Sequence, residues 1–154
     1  MRIDLSSVPV ETGTTYPQPF APVVAGRHRQ RVGNAVGLKN FGVNLTTLMP
    51  GSASALRHWH SAQDEFIYIV QGELLLVTNQ GEQILQAGDM AGFAAGIANG
   101  HHLINQSALP ATYLEVGDRT MPDRAEYPDV DLCCLPTADG QRQFTHKDGT
   151  AYEG

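Results

Sequence analysis

Residues 51–72 read GSASALRHWHSAQDEFIYIVQG, and they contain the strongest structural signal in the chain. The segment Glu65–Val70 is rich in β-branched and aromatic residues and is apolar on both faces, which indicates a strand covered on both sides. His58 and His60 lie two residues apart, so on a strand their imidazoles point to the same face. The turn-prone residues 61–64 allow the chain to reverse and to return Glu65 beside both histidines.

Two imidazoles and one carboxylate that converge in this way can hold a transition metal and leave coordination positions open. A His-x-His pair on a strand is also common without a metal, as a surface pair or a hydrogen-bonded pair. The local pattern therefore leaves open both metal binding and a purely structural role for His58 and His60.

The rest of the chain consists of short apolar or alternating runs divided by turn residues, which predicts an all-β sandwich or barrel. After residue 116 the sequence indicates irregular or edge structure, in which a short helix stays open. Residues 1–25 contain four prolines and are predicted to form an extended arm, either packed across a partner subunit or frayed. The expected strands are Phe41–Met49, Leu56–His60, Glu65–Val70, Leu74–Thr78, Glu82–Leu85, Met90–Ala94, His101–Asn105 and Ala111–Val116.

Length and charge exclude several classes of protein. A chain of 154 residues fits one domain of ordinary size. Its net charge of −6 argues against a nucleic-acid-binding protein, which would show a basic surface. No apolar run approaches the roughly 20 residues of a membrane-spanning helix, and the first residues lack an apolar signal core. We therefore expect a cytoplasmic protein that binds neither nucleic acid nor membrane.

The spacing around the histidines resembles the first motif of the cupin superfamily, Gly-x5-His-x-His-x3-4-Glu-x6-Gly. That motif is reproduced by His58, His60, Glu65 and Gly72, with Gly51 one position early. The second motif of the family, Gly-x5-Pro-x-Gly-x2-His-x3-Asn, is matched more loosely. Its counterparts are Gly88, Gly96, His101 and Asn105, with Ala94 in place of the proline and two extra residues before the histidine.

The resemblance, which is to small single-domain bacterial cupins, implies one jelly-roll barrel (a double-stranded β-helix). The barrel would span residues 26–154, behind the arm of residues 1–25, with both motifs inside residues 51–105. The family pattern also implies one divalent transition metal, and its donor set suits Fe, Mn, Ni or Zn. The implied ligands are His58, His60, Glu65 and His101, and His102 stays an alternative to His101.

For function, the resemblance implies an enzyme of the dioxygenase or isomerase type, which acts on a small oxygen-rich or acidic molecule. The alternative is a non-catalytic protein that binds or senses a small ligand through the metal. A third hypothesis is that the metal only stabilises the barrel. Arg57 and the basic residues 27–31 either hold an acidic substrate or form a solvated surface. The two-sided apolar strand suits a homodimer of facing sheets. Beyond the ligands, the candidates for a general acid or base are Tyr68, Tyr113 and His102.

Overall fold

The computed structural model describes residues 1–152, which form twelve β-strands, two 3-10 helices (Leu5–Ser7 and Ala21–Val24) and one α-helical turn (Val32–Ala35). Residues 153 and 154, the last two of the predicted barrel domain, lie outside the described residues. No helix in the described part of the chain is long and apolar enough to cross a membrane. The strands are β1 (Arg27–Gln30), β2 (Phe41–Leu48), β3 (Trp59–His60), β4 (Glu65–Gln71), β5 (Glu73–Thr78), β6 (Gly81–Gln86), β7 (Met90–Phe93), β8 (His102–Ile104), β9 (Ala111–Asp118), β10 (Ala125–Tyr127), β11 (Leu132–Pro136) and β12 (Arg142–Thr145).

The largest sheet is antiparallel and has the strand order β1-β2-β9-β4-β7. Ile67 and Ile69 of β4 are buried whereas Phe66 and Val70 are exposed, because successive side chains of a strand point to opposite faces. The chain itself therefore covers β4 on one side only, and not on both sides as the sequence predicted. β1 is a strand that sequence analysis treated only as a basic cluster. Four polar residues carry no apolar alternation, and only their pairing with β2 makes them a strand.

The hydrophobic core lies between this sheet and a three-stranded sheet with the order β6-β5-β8. One side of the core comes from β2, β4 and β9, and the other side from β5, β6 and β8. This arrangement confirms the predicted all-β barrel. The core members are Leu48, Ile67, Ile69, Leu74, Leu76, Leu85, Leu103, Ala111 and Tyr113.

The segment after residue 116 differs from the prediction of irregular or edge structure. It contributes β10, β11 and β12 to a four-stranded sheet whose fourth member is β3. These strands have three to five residues each and are separated by proline and glycine turns. Such short runs carry little local signal, and they form here because Ala125 and Glu126 pair with His60 and Trp59.

The N-terminal arm lies against its own barrel over most of its length. Glu11 forms a β-bridge with Arg29, and the side chain of Gln30 donates to backbone carbonyls of the first ten residues. Further along, the ring of Tyr16 packs edge-on against Tyr127. The frayed alternative is therefore not what the structure shows, whereas contact of the arm with a partner subunit stays a prediction.

Candidate metal centre

Three of the four predicted ligands come together at one end of the barrel. Ligand atoms of His58, His60 and Glu65 all lie within 4.8 Å of one another. β3 carries His60, and Glu65 opens β4 close to both histidines, as the sequence predicted. The two strands lie in different sheets, however, and are not the adjacent strands that a simple chain reversal would give. His58 is held just before β3 by an isolated bridge to His101, with N–O distances of 3.1 and 2.9 Å.

His101 lies beside this three-residue group. Its Nε2 is 3.1 Å from Oε2 of Glu65, and its Nδ1 is 3.3 Å from the carbonyl oxygen of Asn99. The Nδ1 of His102 is 2.9 Å from the carbonyl oxygen of Ala55, and of the two histidines only His101 contacts Glu65. The geometry thus favours His101 over His102 as the fourth ligand, and the role of either as a ligand stays a prediction.

Hydrogen bonds at Nδ1 orient the first two rings. Nδ1 of His58 lies 2.8 Å from the carbonyl oxygen of Leu56, and because a carbonyl only accepts, this nitrogen must donate. Nδ1 of His60 lies 2.7 Å from Oδ2 of Asp123. In both rings Nε2 is left with its lone pair toward the cluster, which is the arrangement that metal-ligating histidines use.

Asp123 is a functional candidate that sequence reasoning missed. Its carboxylate is almost fully buried and, besides His60, accepts from the backbone N–H of Ala62 at 3.0 Å. Arg142 of β12 lies 3.3 Å from the same carboxylate and balances its charge. Asp123 is 63 residues from His60 and follows no motif, so no local signal could have connected the two.

The cluster opens into a cavity of about 460 Å³, a size that suits a small organic molecule. Arg27 and Arg29 of β1 point into this cavity, because they pair with the buried Leu48 and Thr46 of β2. Arg57 does not line it and forms an ion pair with Asp129 at 2.6 Å instead. The polar side chains that line the cavity are those of Thr14, Thr15, Tyr16, Arg27, Arg29, Ser54, His58, His60, Glu65, His101, His102, Tyr113, Glu115, Tyr127, Cys134 and Arg142.

Known proteins resemble this chain in both sequence and structure. The family model described as Cupin domain matches residues 44–117. The crystal structure of a sugar phosphate isomerase of the cupin superfamily from Silicibacter pomeroyi is 43% identical to the chain. That match has a TM-score of 0.94 and covers 100% of this chain and 98% of the other. The chain belongs to the cupin superfamily.

More distant structures share the cupin fold. A proposed sugar phosphate isomerase from Acidithiobacillus ferrooxidans is 24% identical, with a TM-score of 0.74, over 85% of this cupin and 84% of that chain. A polyketide cyclase from Streptomyces resistomycificus is 17% identical, with a TM-score of 0.65, over 80% of this cupin and 82% of that chain. No curated protein sequence matches this cupin. At these identities the two distant structures support the fold alone.

Electrostatics at the cupin's histidine cluster suit a divalent ion. Burial lowers the pKa of His58 to about 4, so this ring is neutral at pH 7. Burial alone would raise the pKa of Glu65, but the hydrogen bond from Nε2 of His101 lowers it below its usual range. Metal ligation needs a neutral imidazole and an ionised carboxylate, so the residues present fit the metal that the family implies.

Two of the three predicted acid–base candidates, Tyr113 and His102, line the cavity, whereas Tyr68 does not. Burial raises the pKa of Tyr113, which keeps its hydroxyl protonated. Glu115 of β9 was missed, although it lies on the same strand face as Tyr113. Burial, and then the charge of Glu65, raise the pKa of Glu115. A carboxyl group whose pKa lies above its usual range therefore faces the cavity.

Proposed function

We propose that this cupin is a metal-dependent isomerase of a small acidic sugar, with one divalent ion on His58, His60, Glu65 and His101. The observation that carries the proposal is the convergence of these side chains on one end of a cavity of about 460 Å³. The 43% identity to a sugar phosphate isomerase, which extends over the whole chain, supports isomerase rather than oxygenase chemistry.

Aldose–ketose isomerisation moves one hydrogen from a carbon to its neighbour and a second hydrogen between the two attached oxygens, and it needs no oxidant. A divalent ion, when bound, would act as a Lewis acid on the adjacent carbonyl and hydroxyl oxygens. Glu115 is the candidate for the proton transfer, because its carboxyl group faces the cavity and its raised pKa makes the carboxylate a stronger base than usual. Asn44 donates to Oε2 of Glu115 at 3.2 Å and orients that carboxylate.

The first test is metal content. Elemental analysis of protein purified anaerobically without chelators should find about one equivalent of iron, manganese, nickel or zinc. The double variant His58→Ala/His60→Ala should contain none, and the surface variant His146→Ala should match the wild type. Metal retained by the double variant would contradict the proposed site. Iron in the wild type would make dioxygen consumption the next assay.

The second test is turnover. Aldoses and ketoses bearing a phosphate or carboxylate group are incubated with the metal-loaded protein in D2O, and NMR follows interconversion and exchange of the carbon-bound proton. Glu115→Gln should keep the metal but lower kcat by about 100-fold or more, the usual contribution of a general base. If metal and ligand bind without turnover or exchange, the cupin is a binding or sensing protein instead.

A further inference from the structure

Two arginines inside the barrel, Arg27 and Arg29, lack the close carboxylate partner that a buried cation normally has. Arg27 is only 8% exposed, and its guanidinium donates to the backbone carbonyl oxygens of Ser54 at 2.7 Å and Gly13 at 3.5 Å. No ion pair within residues 1–152 includes Arg27. A buried cation without a carboxylate is costly, which raises the question of what balances it.

Arg29 increases this excess of positive charge. Its carboxylate contact is Glu115, and the distance of 3.9 Å is at the limit of an ion pair. Its Nε is buried and has no hydrogen-bond partner among the described residues. Burial and the neighbouring charge of Arg29 both lower the pKa of Arg27, as expected for two cations forced together.

Other arginines of the barrel have a close carboxylate partner. Arg31, which continues the same segment, binds Glu11 at 2.9 Å, and Arg57 binds Asp129 at 2.6 Å. Arg124 binds Glu126 at 2.9 Å. Arg142, which also lines the cavity, lies 3.3 Å from the carboxylate of Asp123. Arg27 and Arg29 differ from these arginines, because both line the cavity and neither has a close carboxylate partner.

The position of the pair relates it to the histidine cluster. β1 is the edge strand of the five-stranded sheet, and three strand spacings, roughly 14 Å, separate it from β4, which carries Glu65. The side chains of Arg27, Arg29 and Glu65 extend from these strands into the same cavity. A small elongated molecule can therefore reach both ends.

We propose that Arg27 and Arg29 form an anion subsite that binds the phosphate group of a phosphorylated substrate. Phosphate offers three acceptor oxygens and close to two negative charges, which match two guanidinium forks better than the single charge of a carboxylate. The carbon chain of the substrate extends from this subsite to His58, His60, Glu65 and His101. Only this last part rests on the isomerase function proposed above, and the subsite itself requires neither metal nor turnover.

The experiment is calorimetric titration of inorganic phosphate into the full-length protein at pH 8, with ionic strength held constant by sodium chloride. It is run on protein as purified and again after chelation, so that phosphate held by a metal is recognised. The wild type should bind phosphate in both states. Arg29→Gln should weaken binding at least tenfold, the scale expected for a lost charge-assisted hydrogen bond.

Two variants serve as controls for the subsite. Arg124→Gln removes the same charge from the surface and should leave phosphate affinity unchanged. His60→Ala, which disables the proposed metal site, should also bind phosphate as the wild type does. Arg27→Gln should weaken binding too, and because Arg27 is buried, circular dichroism must first show that the variant is folded. Arg29 is more accessible than Arg27, so the phosphate affinity of Arg29→Gln tests the subsite if Arg27→Gln does not fold.

The possible failures are distinguishable. No binding of phosphate by the wild type, equal affinity in Arg29→Gln, or tighter binding of acetate than of phosphate would each overturn the subsite. Turnover of unphosphorylated sugars at a rate that Arg29→Gln does not change would also overturn it and leave the isomerase intact. Phosphate binding lost in Arg29→Gln, with no isomerisation of any sugar, would support the subsite and contradict the proposed function.

Discussion

At the scale of single residues, the orientation of the His60 ring depends on the carboxylate of Asp123. Asp123 accepts from Nδ1 of His60 and is itself held by the backbone of Ala62 and by Arg142. A buried carboxylate in this position fixes the ring orientation and keeps the lone pair on Nε2 for a metal. Asp123 is therefore a positioning residue for the candidate metal centre.

We expect Asp123→Asn to lower metal affinity by about 10- to 100-fold, because the amide cannot support His60 as a carboxylate does. Competition with a chromophoric chelator measures this affinity. The matched control is Asp131→Asn, which alters a similar pair, since Asp131 lies 2.8 Å from Nδ1 of His146 at the surface. Equal affinities of the two variants would contradict the positioning role.

His58 makes the stability of the metal-free protein depend on pH. Burial lowers its pKa to about 4 in the folded state, against about 6.5 in the unfolded chain. Between these values the unfolded chain binds the proton and the folded chain does not, so the free energy of unfolding decreases as pH falls. We expect a loss of about 1–3 kcal/mol between pH 6.5 and 4, the smaller value if cavity water reaches the ring.

Urea unfolding of the chelated protein at several pH values measures this loss. The variant His58→Gln removes the titrating ring and should show a smaller change over the same range. A free energy of unfolding that is as pH-dependent in His58→Gln as in the wild type would assign the effect to other groups.

At the scale of the elements, the turn between β4 and β5 depends on a glycine for two reasons. Gly72 has a φ of +81°, and a Cβ built there would lie 2.9 Å from Cβ of Ala111 and 3.1 Å from its Cα. Gly88, between β6 and β7, also has a positive φ (+97°), but a Cβ there would meet nothing within 4 Å. A substitution at Gly88 therefore tests backbone strain alone, whereas the same substitution at Gly72 adds steric overlap.

We expect Gly88→Ala to destabilise the cupin by about 1–2 kcal/mol through backbone strain alone. Gly72→Ala should cost about 1–3 kcal/mol more, because the backbone of β9 must move to admit the methyl group. Thermal unfolding of both variants compares them directly. Equal losses would mean that the sheet accommodates the extra methyl without strain.

The strands were predictable to different degrees. β2, β4, β5, β6, β7, β8 and β9 were expected from short apolar or alternating runs, within a few residues of their observed bounds. The strand expected over Leu56–His60 is shorter in the structure, where β3 contains only Trp59 and His60. β1 is polar, and β10 to β12 are short, so their existence depends on partners far away in the chain.

Asn105 of the second motif supports the fold rather than the centre, since its buried amide donates to the carbonyl oxygens of Leu48 and Leu109.

At the scale of the whole molecule, one face of the barrel remains apolar and exposed. Phe66, Val70 and Met90 are 42%, 46% and 60% exposed on the outer side of the five-stranded sheet. Val116 and Leu114 of β9 lie opposite Phe66 and Tyr68 and extend the apolar surface across the sheet. Such a continuous patch is typical of an interaction surface. In a two-fold symmetric dimer the same patch on a second copy would cover it.

We therefore expect a homodimer formed by facing sheets. Size-exclusion chromatography with light scattering should give the mass of two chains at micromolar concentration, and Phe66→Asp/Met90→Asp should give the mass of one. Ile84→Asp is the control, because Ile84 is 57% exposed but lies on β6 in another sheet. A wild-type monomer, or a dimer in the double variant, would contradict this interface.

Local sequence was sufficient for the features that depend on neighbouring residues. The two-residue spacing of His58 and His60, the turn-prone residues before Glu65 and the apolar run of β4 predicted a site on strands with three candidate ligands, because alternate side chains of a strand point to the same face. The resemblance to the cupin superfamily rested on two motifs within residues 51–105, and the 43% identical structure confirms it.

Tertiary structure alone brought together the groups that surround those ligands. Asp123 reaches His60 across 63 residues, and Glu115 meets Arg29 and Asn44 only because β1, β2 and β9 are neighbours in one sheet. Whether Arg27 and Arg29 face solvent or the cavity was decided by the register of β1 against β2. A shift of one residue would turn both side chains outward, and no local pattern in polar residues determines that register.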